Sequence, residues 1–174
     1  QLFARGFAGM SVALWVTYFM GLMVIYLLTG WLPTLFKENG LSLSEAANVT
    51  ALFQLGGTVG AVLVGWFMDR VAPTRVISLA YLGGAAAVVT LGLASNSMGS
   101  IALWVTLAGF CMSGAQTGLN AYAPSCYPTA SRATGVSWML GMGRFGSITG
   151  SMVGGVLLGL DRKSTRLNSS HSQQ

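Results

Sequence analysis

Charge is scarce in this chain: Asp, Glu, Lys and Arg together make up 7% of its 174 residues, against roughly a quarter in an ordinary water-soluble domain. Water is not the solvent such a composition suits, and a mean hydropathy of +0.64 agrees. Histidine occurs once, at His171, and cysteine twice, at Cys111 and Cys126, within or at the end of apolar runs. So sparse a supply of nucleophiles and ligands forms no Ser/His/Asp or Cys/His set, no metal-ligand spacing and no disulfide framework. Two free thiols, no enzyme activity and no cofactor are expected. A phosphate-cradling glycine loop is missing as well, which excludes ATP-driven pumping. None of the four acidic residues lies inside an apolar run, so a proton-coupling carboxylate is expected elsewhere in the complete protein. The chain opens at Gln1 with no basic region before a short apolar core, so an internal segment without a signal peptide is expected.

What is present is long sequence almost free of charge, Arg144 being the one charged residue within it. A helix needs about 20 apolar residues to cross roughly 30 Å of hydrocarbon, and five such stretches follow one another, at 12–36, 46–68, 76–93, 101–122 and 134–160. The expected fold is an all-α membrane bundle of five crossings. Lys37 closes the first stretch, and Asn39-Gly40 marks a turn before Ser42 or Ser44, either of which can cap the second helix. A charged turn from Asp69 to Arg75 contains Pro73, a residue poorly suited to continuing a helix. Small polar residues at 94–100 divide the third and fourth stretches, and Pro124 and Pro128 end the fourth.

The net charge of +5 does not point to nucleic acid, because the basic residues are scattered between apolar runs rather than gathered on one face. Their distribution instead reads as topology. With Gln1 inside, Arg5, Arg70, Arg75 and Arg132 all fall in cytoplasmic turns and only Lys37 falls opposite, as the positive-inside rule requires. Lipid is therefore the expected surrounding.

After Leu160 the composition turns abruptly polar. The string from Asp161 to His171 resembles one reading frame of a sequencing adapter, so residues 161–174 are expected to be a disordered artefact and residues 1–160 the folded part. A basic cytoplasmic tail is the other reading.

Within the spans a few residues stand out. Gly56, Gly60, Ala61 and Gly65 on the second helix and Gly146, Gly150 and Gly154 on the fifth give small-residue faces. Such faces serve tight packing, or rock against another half during alternating access. Arg144 is a cation inside a span, a costly placement that implies a cavity or a partner. It reads as a substrate or gating charge, or as a structural partner for a carboxylate or a helix C-terminus elsewhere. Gln116 and Asn120, spaced i, i+4, share one helix face and can hydrogen-bond a polar solute or a neighbouring helix. Tyr18, Tyr26, Trp31, Trp104 and Tyr122 are ring-stacking candidates, although Trp31 and Trp104 sit where interfacial anchors collect.

Gly65-Trp66-Phe67-Met68-Asp69-Arg70 followed by Arg75 resembles the signature turn of the major facilitator superfamily, with Ala72-Pro73 where the signature has glycine. Two flanking segments, Tyr26-Leu-Leu-Thr-Gly-Trp31-Leu-Pro33-Thr34 and Tyr127-Pro128-Thr-Ala-Ser-Arg132-Ala-Thr-Gly135-Val-Ser-Trp138 running on to Gly141-Met-Gly-Arg144-Phe-Gly146, resemble its aromatic acid:proton symporter branch. This resemblance implies helices seven to eleven of twelve, from the C-terminal half of a bacterial inner-membrane carrier whose N-terminal half is missing. It further implies import of a hydroxybenzoate, benzoate or phenylpropanoate by proton symport, with the proton as coupling ion. By matching position, Arg144 and Arg132 are the substrate or gating residues and Gly65, Asp69, Arg70 and Arg75 a cytoplasmic latch. Tyr26, Gln116 and Asn120 complete the candidate site. A carrier for a sugar or dicarboxylate, and a non-transporting receptor on the same fold, are the alternatives.

Overall fold

The computed structural model describes residues 6–38, 40–93 and 97–171. Arg5, Asn39 and residues 94–96, all used in the sequence argument, lie outside the described residues. Five long helices follow in order: α1 (Ala8–Glu38), α2 (Leu43–Met68), α3 (Pro73–Leu93), α4 (Met98–Tyr122) and α5 (Arg132–His171), with a 3-10 turn at Ala123–Cys126 before the last. Among the described residues three stretches, Ala8–Thr34, Leu43–Met68 and Pro73–Leu93, are long and apolar enough to cross a membrane. α4 and α5 have the length as well.

The helices start earlier than the charge pattern suggests, for identifiable reasons. Pro73 opens α3 instead of merely separating it from α2, since at the first helical position its missing N–H breaks no bond. Ser42, not Ser44, caps α2: its Oγ accepts from the Glu45 N–H at 3.2 Å while the Glu45 carboxylate accepts from the Ser42 N–H at 2.9 Å. This reciprocal pair satisfies two otherwise orphaned donors. At the end of α1, Gly40 adopts φ +84° and the chain reverses there, with Gly40 N–H on Lys37 O and Leu41 N–H on Phe36 O. That left-handed position is one which glycine takes without steric cost.

Where disorder is expected from Asp161, α5 continues through residues 161–171, with residues 161–170 exposed. No proline or glycine follows Gly159 to stop it. The side chains of Ser164 and Thr165 bond back to the Asp161 carbonyl. This extension touches no core residue, so its helicity is local in origin.

Two apolar clusters show how the helices alternate. Leu32, Phe36, Ala46, Val49, Phe53, Ala87, Leu91, Ile101 and Val105 pack at one end, bringing together the end of α1, the start of α2, the end of α3 and the start of α4. Leu14, Tyr18, Ile77, Leu119, Tyr127 and Met139 pack at the other. Lys37 therefore stands at the first end, and Arg70, Arg75 and Arg132 at the second, the separation that the topology argument needs.

In lipid, helices gain little from the hydrophobic effect against one another, so close van der Waals approach matters more. The glycines supply it. A Cβ on Gly56 would strike the Thr106 carbonyl and one on Gly60 the Phe110 carbonyl, which seats α2 directly on α4. Gly146 and Gly150 lie in the same way on the Phe19 and Met23 carbonyls, seating α5 on α1. Both faces are thus filled from within the chain, which corrects the reading that they slide against an absent half. Gly65 stands apart from them, with nothing within 4 Å of a Cβ.

The two seams share one register. Gly146 and Gly150 follow Gly56 and Gly60 by 90 positions, and Phe19 and Met23 precede Thr106 and Phe110 by 87. Contacts further along obey it too: Gly114 meets Val64, and Gly154 meets Leu27. The α2–α4 pair and the α5–α1 pair are one motif used twice, in opposite directions along the bundle, which is the pattern of an inverted repeat.

Candidate functional site

α2 packs on α4, α4 meets α1, and α1 packs on α5, while α3 lies against α4. Two of the exposed rows along α5 lie side by side. Ser137, Arg144 and Ser151 recur at seven-residue intervals, and so do Trp138, Phe145 and Met152, one position on. Large apolar side chains suit hydrocarbon, whereas a guanidinium at that depth needs water or a partner. Of these two rows only the one through Arg144 carries a charge, and Leu140 and Ile148 lie exposed one turn to either side of it. Gly143, the residue before Arg144, rests on the ring of Tyr18, and the carbonyl of Tyr18 faces α4.

Other predicted site residues distribute unevenly around this face. Tyr26 of α1 is 47% exposed. The i, i+4 pair on α4 separates: Asn120 is exposed near the cation-rich end, while Gln116 is buried. Gln116 accepts from the Tyr81 hydroxyl at 2.7 Å and donates to the Tyr18 carbonyl at 3.4 Å. Gly21 makes room for this node, since a Cβ there would meet Gln116 and the Tyr81 oxygen. Gln116 thus ties α4 to α1 and α3, so its polar atoms are engaged within the bundle.

At the cation-rich end, Arg132 is the exposed first residue of α5 and Arg75 lies exposed in the first turn of α3. Cations at helix N-termini oppose the helix dipole, so helix stability does not account for either placement. The Asp69 N–H caps α2 on the Gly65 carbonyl at 3.3 Å, and the Arg70 guanidinium lies 3.9 Å over the Trp66 ring. Gly65, Asp69, Arg70 and Arg75 therefore share one turn and its flanks, while Arg144 lies within the bundle's length, away from them.

Sequence reasoning missed a second buried polar pair at this end. Tyr127 donates its hydroxyl to Ser11 Oγ at 3.0 Å, and a Cβ on Gly135 would meet the Tyr127 ring. Nearby, Trp15 and Trp138 stack with centroids 5.8 Å apart. Tyr127, Gly135 and Trp138 stood inside a quoted motif, but nothing in the sequence named Ser11 as a partner. Among the described residues no group of three His, Cys, Asp or Glu could hold a metal.

The sequence profile of the Major Facilitator Superfamily matches residues 14–161. A gallate transporter of Pseudomonas putida is 58% identical over 160 residues, covering 92% of this chain and 36% of the relative. The 4-hydroxybenzoate transporter PcaK of Pseudomonas aeruginosa is 49% identical over 159 residues, 91% of this chain and 36% of its own length. A 3-(3-hydroxy-phenyl)propionate transporter of Escherichia coli is 37% identical over 159 residues, 91% of this chain and 39% of its length. The chain thus spans little more than a third of the relatives it matches. No solved structure matches it.

Proposed function

Because the chain belongs to the Major Facilitator Superfamily, a family of multi-pass membrane transporters rather than enzymes, we propose that the complete carrier imports an aromatic carboxylate of the hydroxybenzoate, benzoate or phenylpropanoate type together with a proton across the bacterial inner membrane. Arg144 carries this reading: an exposed guanidinium in the apolar reach of α5, beside large lipid-suited side chains but on a different stripe. A guanidinium fork matches a carboxylate with two parallel hydrogen bonds. The half-exposed ring of Tyr26 offers a stacking surface for the aromatic part. Asn120 adds a polar contact, and Arg132 waits at the cytoplasmic mouth. Gln116, engaged with Tyr81 and Tyr18, holds the helices that frame the cavity.

All five helices cross the membrane in this reading, as helices seven to eleven of twelve, and residues 161–174 lie outside the carrier proper. The N-terminal half completes the cavity. Proton coupling needs a titratable acid, and the acids of the carrier's spans sit only at their ends, Glu38 closing α1, Glu45 in the first turn of α2 and Asp69 at its cap. The coupling site therefore belongs to the rest of the carrier, and no bound cofactor is involved. Gly65, Asp69, Arg70 and Arg75 form the cytoplasmic latch between states. Cells expressing the complete carrier should accumulate labelled 4-hydroxybenzoate or gallate, and a protonophore should abolish the accumulation. Absence of uptake, protonophore indifference, or competition by sugars and dicarboxylates in place of aromatic acids would overturn this assignment.

A further inference from the structure

The internal register extends from the seams to the faces beside them, and there it pairs Arg144 with a residue that neither motif nor charge singles out. Ninety positions before Arg144 stands Gln54, and ninety before Phe145 stands Leu55. Gln54 is exposed and Leu55 is 62% exposed, as are their counterparts on α5, where Phe145 is 64% exposed. On α2 the row through Gln54 otherwise holds the small residues Ala47 and Ala61, and it lies beside an apolar row in which Val62 at 69% exposure follows Leu55. An inverted repeat carries a face of the bundle onto itself while exchanging its two ends. Gln54 consequently opens on the same side as Arg144, at the opposite end: its neighbour Phe53 belongs to the Lys37-end cluster, whereas Gly143 beside Arg144 rests on Tyr18 of the other.

Gln54 lies well inside an apolar helix of 26 residues. Its carbonyl accepts from Thr58 at 3.0 Å, but its side-chain amide has no hydrogen-bond partner among the described residues. An amide facing hydrocarbon forfeits its hydrogen bonds; facing a water-filled cavity it forfeits nothing. Its Nε2 donates and its Oε1 accepts, so it can engage a carboxylate or a ring hydroxyl without fixing a charge. Side chains on a helix lean toward its N-terminus, which takes Gln54 outward and Arg144 inward.

We propose that Gln54 is a substrate contact in the extracytoplasmic half of the cavity, the uncharged counterpart of Arg144 in the cytoplasmic half. Resting on the aromatic-acid reading, this assignment gives the substrate two successive polar stations along its path. The outer one recognises it before the guanidinium does.

Two measurements on the complete carrier test it. In the first, Gln54→Leu and Gln54→Ala are assayed for uptake of labelled 4-hydroxybenzoate, with membrane insertion followed by a fluorescent tag. Both should insert, and the half-saturation concentration for uptake should rise about tenfold, the loss of one well-formed hydrogen bond. In the second, Gln54→Cys and Leu55→Cys are made in a carrier freed of its other cysteines and exposed from outside to a membrane-impermeant maleimide. Gln54→Cys should react and 4-hydroxybenzoate should slow the reaction, while Leu55→Cys should stay unlabelled. Wild-type half-saturation in either inserted variant overturns the role of Gln54, and so does failure of both variants to insert, which would make Gln54 a packing residue. Equal labelling of the two cysteines, or none at Gln54→Cys, overturns its placement. A carrier that moves no aromatic acid, yet reacts at Gln54→Cys alone, defeats the substrate assignment and leaves the water-facing placement standing.

Discussion

Tyr127 donates to Ser11 across 116 positions of sequence, with both side chains buried and the oxygens 3.0 Å apart. The bond joins the turn before α5 to the start of α1, at the end where Arg132 stands. Ser11→Ala leaves a phenolic hydroxyl buried without its partner, at a cost of about 1 to 3 kcal/mol. Tyr127→Phe costs less, because the Ser11 hydroxyl can turn back to a carbonyl of its own helix. Thermal unfolding of the complete carrier in detergent should rank the variants in that order. The double variant should be no worse than Ser11→Ala alone, and a fully additive double variant would show that the two hydroxyls do not interact.

The helices and several of their turns were legible because charge is so rare: Lys37, Asp69, Arg70 and Arg75 punctuate the chain between α1, α2 and α3. Partners were not. An i, i+4 row of glycines declares a close approach without saying to what, and only the structure joins Gly56 to Thr106 and Gly146 to Phe19. Gln116 and Asn120 look equivalent in sequence. A single turn of α4 separates a residue locked between Tyr81 and Tyr18 from an exposed one. Likewise Gln54 is unremarkable as one amide in an apolar run. It acquires meaning when the register sets it opposite Arg144, and that register is fixed by contacts between distant helices rather than by local pattern.

Gly60 and Gly150 occupy corresponding places in the two seams, each against a carbonyl of the facing helix. Gly60→Leu and Gly150→Leu should both prevent correct assembly, since backbone offers no room to repack and overpacking of even modest size costs about 1 to 3 kcal/mol. Gly65→Ala and Gly155→Ala, where a Cβ meets nothing within 4 Å, should leave assembly unchanged. The fraction of monodisperse carrier recovered in detergent reads all four, and tolerance of leucine at Gly60 would refute the seam.

Arg144→Ala should abolish uptake of aromatic acids while membrane insertion persists, because the side chain is exposed on α5 rather than built into the α1 seam. Arg144→Lys should retain only a small part of the activity. An ammonium keeps the charge but lacks the planar fork that grips a carboxylate at two points. Uptake rates normalised to tagged protein in the membrane separate the two effects. Loss of insertion in Arg144→Ala would instead assign the guanidinium a structural partner.

Topology gives the strictest check on the architecture. The two apolar clusters place Lys37 at one end of the bundle and Arg70, Arg75 and Arg132 at the other, and the positive-inside rule assigns the second end to the cytoplasm. Continuing α5 beyond Leu160 carries Arg162, Lys163 and Arg166 out on the Lys37 side, where three cations work against that orientation. Chain ending at Leu160 should therefore insert at least as well as the full 174 residues, with Lys37→Cys labelled by an impermeant reagent and Arg70→Cys labelled only after permeabilisation. Poorer insertion of the shortened chain would make residues 161–171 part of the fold, and equal labelling of the two cysteines in intact cells would remove the bundle's alternation altogether.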